Sequence, residues 1–163
     1  LRRRRRRYFR AGSIVRRLTS PDPARLDRLA ATHSAVFAPT SRGWSGDEIA
    51  DLARSGLLMA DDDNRGFALF SRVVDEAELL TIAVHPKHQR QGLARDLLTS
   101  AETALVTDGA RLVHLEVAVD NPGAIALYEA FGYRVSGRRK LYYRRAVGGR
   151  VDAVMMVKEL GGA

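Results

Sequence analysis

The sequence predicts a single α/β domain with a mixed sheet and helices on both of its faces. The chain has 163 residues, a length typical of one domain with a buried core. Its apolar residues change between strand and helix spacing, and the second half of the chain follows the order β–α–β–α–β–β. A strand, a helix and another strand between Leu79 and Val119 have the order of a parallel crossover.

The first half of the chain is predicted to contain a strand, two helices and a hairpin. These elements cover residues 13–18, 20–37, 45–56, 57–60 and 66–74. Pro21 and Pro23 suit a helix start, and Ser45 followed by Glu48 is a capping box that begins the second helix. The acidic segment 61–65 lacks the spacing of a calcium loop, so we expect a solvated hairpin turn there.

The second half of the chain contains the strongest patterns. It is predicted to form strands and helices over residues 78–84, 92–107, 111–119, 121–131, 133–145 and 150–160. The apolar run Leu79–Val84 indicates a strand that is buried on both faces. Asn121 is predicted to cap the second of these helices, with Pro122 at its first position. Gly148 and Gly149 mark the turn between the last two strands.

Composition excludes several classes of protein. The chain has no cysteine, so it has no disulfide framework, no thiolate nucleophile and no cysteine-based zinc site. The histidines lack the spacing of a metal site, and we expect no metal. No apolar run approaches the ~18 residues that span a bilayer, so we expect no membrane contact. A cytoplasmic location is consistent with this composition.

The formal net charge of +8 is concentrated at the start of the chain. Nine of the 27 Lys and Arg residues are arginines within positions 1–17, which contain no acidic residue. We therefore expect residues 1–12 to form a basic tail, and residues 13–160 to form the domain. The run Arg2–Arg7 is typical either of an unstructured extension or of a contact with RNA or the ribosome.

The turn before the helix at residues 92–107 predicts an anion site. It reads Gln89-Arg90-Gln91-Gly92-Leu93-Ala94 and joins a buried strand to a long amphipathic helix. Helix starts carry unpaired N–H groups and positive potential, which suit a phosphate. The turn matches neither the GxGxxG pattern nor the P-loop.

This turn closely resembles the pyrophosphate-binding turn of the GNAT family of N-acetyltransferases, which bind acetyl-coenzyme A. The resemblance continues through Leu115-Glu116-Val117, Asp120-Asn121, Ala124–Glu129, Phe131-Gly132-Tyr133 and Arg138–Tyr143. The combination is most similar to the bacterial subgroup that acetylates ribosomal-protein alanine. It implies a mixed, mostly antiparallel sheet and direct acetyl transfer, in a ternary complex, to the α-amino group of a protein N-terminus. Ala118 departs from the subgroup, which often has arginine there.

The resemblance also implies roles for individual residues. Glu116 is the implied general base, and Tyr128 is the implied acid that protonates the leaving thiolate. The implied coenzyme-binding residues are Ile82, Ala83, Val84, Gln89, Arg90, Gln91, Gly92, Leu93, Ala94, Arg95 and Asn121. Trp44, Tyr142 and Tyr143 are expected to line the peptide cleft. Structural explanations stay open, since Glu116 also fits a solvated strand carboxylate, Tyr128 a core aromatic and Asn121 an ordinary helix cap.

Two other functions are compatible with the sequence. The same fold acetylates small amines, such as a polyamine, an amino acid or an antibiotic. A non-catalytic module that binds acyl-coenzyme A or RNA is the second alternative. A peptide acceptor is favoured chemically, because an α-amino group has a pKa near 8, whereas lysine has one near 10.4.

Overall fold

We describe the fold from a computed structural model that describes residues 13–161, so the predicted tail at residues 1–12 lies outside the described residues. All the predicted helices and strands are present, with ends that differ by a few residues. They are β1 (Val15–Arg17), α1 (Pro23–Phe37), α2 (Gly46–Ala53), β2 (Gly56–Asp61), β3 (Gly66–Val73), β4 (Glu76–Val84), α3 (Leu93–Thr107), β5 (Leu112–Ala118), α4 (Pro122–Ala130), β6 (Arg134–Arg144) and β7 (Arg150–Glu159).

Side chains cap three of these helices, and the sequence predicts the caps of α2 and α4. Asp22 Oδ1 accepts a hydrogen bond from the N–H of Arg25 at 2.7 Å, which begins α1. Ser45 and Glu48 form both halves of the capping box of α2. Asn121 Oδ1 accepts from the N–H of Ala124 at 3.2 Å, which begins α4.

The seven strands form one mixed sheet in the order β1-β2-β3-β4-β5-β7-β6. Neighbouring strands are antiparallel except for β4 and β5, which α3 connects as a parallel pair. This confirms the predicted parallel pairing between Leu79 and Val119. Because β7 lies between β5 and β6, the last hairpin supports β5 along its whole length.

Helices cover the sheet on both faces, as predicted. The larger core joins α3 and α4 to one face, and its fully buried members include Phe70, Leu97, Leu98 and Leu105. The smaller core joins α1 and α2 to the opposite face over β2, β3 and β4. None of the helices among residues 13–161 is long and apolar enough to cross a bilayer.

The acidic turn between β2 and β3 is exposed at Asp62 and Asp63, as predicted, but its first residue is not. Asp61, at its start, has no exposed surface. Its carboxylate accepts from Arg65 Nε at 2.7 Å and from the N–H of Gly66 at 3.0 Å. The turn is closed by this internal ion pair, because a buried carboxylate needs charged or N–H donors to replace water.

A β-bulge bends β4 in its middle. Phe70 of β3 pairs with Leu79, and Leu69 pairs with Thr81, so Leu80 is an extra residue on β4. The parallel pairing with β5 ends at the same place, at Leu79 and Leu115. A bulge bends its strand and increases the twist, which accounts for the separation of β4 from β5 beyond this point.

Candidate active site

The separation of β4 from β5 opens a gap in the sheet. From Thr81 to Val84, β4 keeps its pairing with β3, but no pairing with β5 is present in the described chain. Over the same stretch β5 stays paired with β7 up to Ala118. The predicted coenzyme-binding residues Ile82, Ala83 and Val84 therefore lie on a strand edge that is open to an extended ligand.

The turn that precedes α3 lies at the carboxyl end of β4. Gln89 Nε2 donates to the carbonyl of Val84 at 2.9 Å, which ties the turn to the strand. Gly92 is the N-cap of α3 with φ +88°, and a side chain added there would meet open space. The first helical hydrogen bond runs from the N–H of Asp96 to the carbonyl of Gly92. The N–H groups of residues 93–95 therefore precede the helical ladder.

The gap and the turn together fit acetyl-coenzyme A. The exposed turn residue Gly92 has no side-chain cap, and α3 is long enough to concentrate positive potential at its start. Arg90, in the left-handed conformation at φ +59°, and Arg95, which stacks on Phe131 at 5.6 Å, add basic side chains to the region. A pyrophosphate suits the helix start, and an amide-containing arm suits the open strand edge.

Glu116 lies on β5 beside the gap. Val113, Leu115 and Val117 point into the larger core, so Glu116 projects from the opposite face. Its side chain is only 18% exposed, and Arg139 Nε lies 2.8 Å from Oε1. Glu116 is therefore not a fully solvated carboxylate, because most of its side chain is buried and it forms an ion pair with Arg139.

An open cleft of about 290 Å³ adjoins Glu116 on this face. Three carboxylates line it, of which Glu76 pairs with His114 at 3.3 Å and Glu116 pairs with Arg139. The third, Glu78, is exposed on β4 in register with His114. Carboxylates outnumber guanidinium groups here, so the cleft favours a cationic ligand.

Tyr128 is buried in the larger core, on α4. Its residue is 5% exposed, and its ring packs edge to face on Tyr133 with centroids 5.8 Å apart. Burial is the main cause that raises the pKa of Tyr128 above its ordinary value, and Tyr143 nearby adds to it. Tyr128 therefore keeps its proton at neutral pH.

Tyr143 interacts electrostatically with both predicted catalytic residues. Burial raises its pKa to about 12, and the carboxylate of Glu116 is the next largest cause. Its hydroxyl also raises the pKa of Tyr128. The structure therefore brings Glu116, Tyr143 and Tyr128 into one neighbourhood.

An irregularity in β6 gives the tyrosine pair its position. The register moves from Arg139 opposite Ala153 to Tyr143 opposite Val151, so β6 has extra residues there. Asp152 Oδ1 accepts from the N–H of Leu141, which has φ +50°. Tyr142 is half exposed beside Tyr143, with ring centroids 5.0 Å apart, and it also contacts the guanidinium of Arg139.

Two of the predicted site residues have structural contacts of their own. Trp44 stacks on His33 with centroids 4.6 Å apart and packs against the smaller core, and it does not line the cleft. Asn121 is exposed and caps α4. A substrate contact for Trp44 and a coenzyme contact for Asn121 therefore stay predictions.

Sequence reasoning gave no role to Arg139, Glu78 or Thr81, which the fold places at the site. Arg139 reaches Glu116 only because β7 lies between β5 and β6, and no local pattern encodes that order. Glu78 and Thr81 could have been noticed as polar residues in an otherwise apolar run. Among residues 13–161, no group of three or more His, Cys, Asp or Glu side chains is arranged to hold a metal ion.

Comparisons with known proteins agree with this geometry. Residues 25–133 match the model of the acetyltransferase (GNAT) family. A protein of Salmonella typhimurium named ribosomal protein bS18-alanine N-acetyltransferase is 44% identical over 99 residues, which are 61% of this chain and 66% of that protein. This match thus spans slightly less than two thirds of the relative's length.

Two further matches extend over nearly the whole length. A Haemophilus influenzae protein with the same name is 32% identical over 144 residues, which are 88% of this chain and 97% of that protein. The crystal structure of the ribosomal-protein-S18-alanine N-acetyltransferase from Escherichia coli superimposes with a TM-score of 0.78 at 30% identity. That superposition covers 92% of this chain and 96% of the other.

Proposed function

The chain belongs to the acetyltransferase (GNAT) family, and on that basis we propose that it transfers an acetyl group from acetyl-coenzyme A to the α-amino group of a protein N-terminus. The proposed acceptor is of the ribosomal-protein alanine type, as the names of the relatives suggest. The observation that carries the proposal is the gap between β4 and β5, with Glu116 on one side and the start of α3 at its end.

The chain would bind the coenzyme mainly through its backbone. The N–H groups at the start of α3 would hold the pyrophosphate, and the open edge of residues 82–84 would hold the pantetheine arm. When bound, acetyl-coenzyme A supplies a thioester whose carbonyl carbon accepts the amine. Both anchors are rigid elements of the sheet and helix, so the reacting end is held in a fixed place.

Glu116 is the proposed general base. An α-amino group with a pKa near 8 is largely protonated at pH 7, so a proton must leave before the nitrogen can attack. A carboxylate beside the gap attracts the ammonium form and removes its proton, directly or through water. The bond from Arg139 at 2.8 Å fixes the orientation of Glu116 toward the cleft.

Tyr128 is the proposed general acid. Burial keeps its hydroxyl protonated, so it has a proton to give to the thiolate that leaves. Tyr143, which interacts electrostatically with both Tyr128 and Glu116, is the proposed link between the two proton-transfer groups.

The shape of the cleft favours a peptide over a small amine. The cleft is open to solvent and continues past Glu116 along β3, β4 and β6. An open groove accepts an extended chain, whereas a small amine is usually bound in a closed pocket. Because ribosomal proteins are made in the cytoplasm, we propose a cytoplasmic location.

The proposal is tested with a short peptide that begins with alanine. The wild-type protein should acetylate it, and Glu116→Gln should lower kcat at least 100-fold while the Kd for acetyl-coenzyme A stays within threefold. Glu159→Gln is the matched control, because Glu159 is an exposed strand glutamate paired with Arg134, away from the cleft. Coenzyme binding without peptide turnover in the wild type would contradict the proposal.

A further inference from the structure

Thr81 carries a buried hydroxyl without a partner. The residue is 7% exposed, and its Oγ1 is the one buried side-chain oxygen or nitrogen of the described chain without a hydrogen bond. A buried hydroxyl without a partner destabilises a folded protein, so native proteins rarely keep one unless a ligand or water meets it. The position of Thr81 indicates which ligand that is.

Thr81 is the first residue after the bulge in β4, where the gap begins. Its cross-strand partner Leu69 belongs to the smaller core, so the side chain of Thr81 is on that face of the sheet. Glu116 projects from the same face, because its neighbours Leu115 and Val117 belong to the larger core. The hydroxyl and the carboxylate therefore lie on the same face at the two sides of the gap.

We propose that Thr81 binds the acceptor, with its Oγ1 accepting a hydrogen bond from the α-amino group that Glu116 deprotonates. This inference rests on the proposed function. The coenzyme would pair with the backbone edge of residues 82–84, in the plane of the sheet, which leaves the face with Thr81 and Glu116 to the amine. Holding one N–H of the amine on Thr81 keeps the nitrogen beside the gap while Glu116 removes its proton.

The chemistry of a hydroxyl suits this position. A second carboxylate would stabilise the ammonium form of the acceptor and so oppose its deprotonation. A neutral oxygen accepts from N–H without adding that stabilisation. Thr81 orients the nitrogen while Glu116 receives the proton.

The test uses two variants of the full chain, assayed with an alanine-initiated peptide. Thr81→Val keeps the shape but removes the hydroxyl, and Thr81→Ser keeps the hydroxyl. For Thr81→Val we expect a thermal midpoint equal to or above that of the wild type, an unchanged Kd for acetyl-coenzyme A, and kcat/KM at least tenfold lower. For Thr81→Ser we expect kcat/KM within threefold of the wild type.

Thr32→Val is the matched control. Thr32, on α1, is also buried, but its hydroxyl donates to the carbonyl of Asn64 at 3.1 Å. This variant should have a lower thermal midpoint and an unchanged kcat/KM. Thr81→Val should lower kcat/KM without lowering the thermal midpoint, whereas Thr32→Val should lower the thermal midpoint without lowering kcat/KM. This difference separates binding of the acceptor from a structural role.

Several results would overturn the inference. A Thr81→Val variant with wild-type kcat/KM would show that the hydroxyl meets only water, and one with weaker coenzyme binding would assign the hydroxyl to the coenzyme. A folded Thr81→Ser variant as slow as Thr81→Val would also contradict the role of the hydroxyl. Failure of the wild type to acetylate any peptide removes the proposed function itself and is seen before any variant is made.

Discussion

Tyr128 and Tyr133 are two buried tyrosines in ring contact, yet their hydroxyl groups have different surroundings. Tyr133 donates to Glu102 Oε1 at 3.0 Å, and Glu102 is also bound by Lys158. The hydroxyl of Tyr128 instead interacts electrostatically with Tyr143. Because only the Tyr128 hydroxyl is the proposed acid, replacing each tyrosine by phenylalanine tests that role.

Tyr128→Phe should lower kcat about 100-fold, with little change in the Kd for acetyl-coenzyme A, because it removes only the proton donor. Burial holds the pKa of Tyr128 above its ordinary value of 10. Titration of this group should therefore not change kcat between pH 6 and 9. Steady-state kinetics over that range measure both effects.

Tyr133→Phe is the control for that experiment. It should reduce thermal stability, since Glu102 loses a donor, and leave kcat close to the wild-type value. Equal losses of kcat in both variants would mean that the ring contact, and not the Tyr128 hydroxyl, matters for turnover.

At the scale of elements, α3 has a glycine in the left-handed conformation at each end. Gly92 has φ +88° at the N-cap, and Gly109 has φ +90° after the C-terminus. A side chain at Gly92 would meet open space, and one at Gly109 would come no closer than 3.8 Å to Arg72. Alanine at either position therefore has a similar conformational cost, about 1 kcal/mol.

The two alanine variants should differ in coenzyme binding. Gly92→Ala should raise the Kd for acetyl-coenzyme A at least tenfold, because the added methyl and the strained turn disturb the N–H groups proposed to hold the pyrophosphate. Gly109→Ala should lose similar stability without weakening the binding of the coenzyme. Isothermal titration gives both Kd values, and equal Kd values would show that the pyrophosphate binds elsewhere.

His33 joins α1 to the loop before α2 and makes the fold sensitive to acid. Its Nδ1 accepts from the N–H of Trp44 at 3.1 Å, and burial is the main cause that lowers its pKa from 6.5 to about 4. The folded protein thus resists a proton that the unfolded chain takes up below pH 6.5. The stability contributed by neutral His33 is complete above pH 6.5 and is lost as the pH falls toward 4.

The free energy of unfolding should therefore fall by up to about 3 kcal/mol between pH 6.5 and pH 4. His33→Gln, which keeps a hydrogen-bond acceptor, should remove most of that decrease. Glu48 titrates lower, since Arg42 is the main cause that lowers its pKa from 4.5 to about 2. Urea unfolding at several pH values measures the difference, and an identical pH dependence in both proteins would contradict the assignment to His33.

The elements were predictable where their signals are local. Ser45 with Glu48 indicates the start of α2, and Asn121 indicates the start of α4, each from residues within one helical turn. Gly92 indicates the start of α3. The bulge at Leu80 was not predictable, because it depends on the register between β3 and β4. Glu116 and Tyr128 came from a resemblance, whereas Arg139 and Thr81 needed the order of the strands.

At the scale of the whole molecule, charge separates the tail from the domain. Without its first 17 residues the chain carries 18 basic and 19 acidic side chains, so the domain is nearly neutral. The highest density of positive charge is therefore near the start of the chain and includes Arg2–Arg7, which lie outside the described residues. We propose an RNA contact for this tail as a separate function from catalysis.

Removal of residues 1–12 tests the tail. RNA affinity is measured at several salt concentrations, and its logarithm is plotted against the logarithm of the salt concentration. The slope of this plot should become less steep by roughly 0.7 for each phosphate that the shortened chain no longer neutralises. Acetylation of a short peptide should not change, because the cleft and the gap belong to the domain. An unchanged salt slope would rule out binding of phosphates by the tail.

The central claim concerns the acceptor, and one assay tests it most directly. Acetyl transfer is measured by mass spectrometry with peptides that begin with different residues, with the same peptides blocked at the α-amine, and with small amines such as polyamines. We predict turnover of the alanine-initiated peptide, its complete loss on blocking, and little turnover of small amines. Rapid acetylation of small amines with no product from any free peptide would contradict the account.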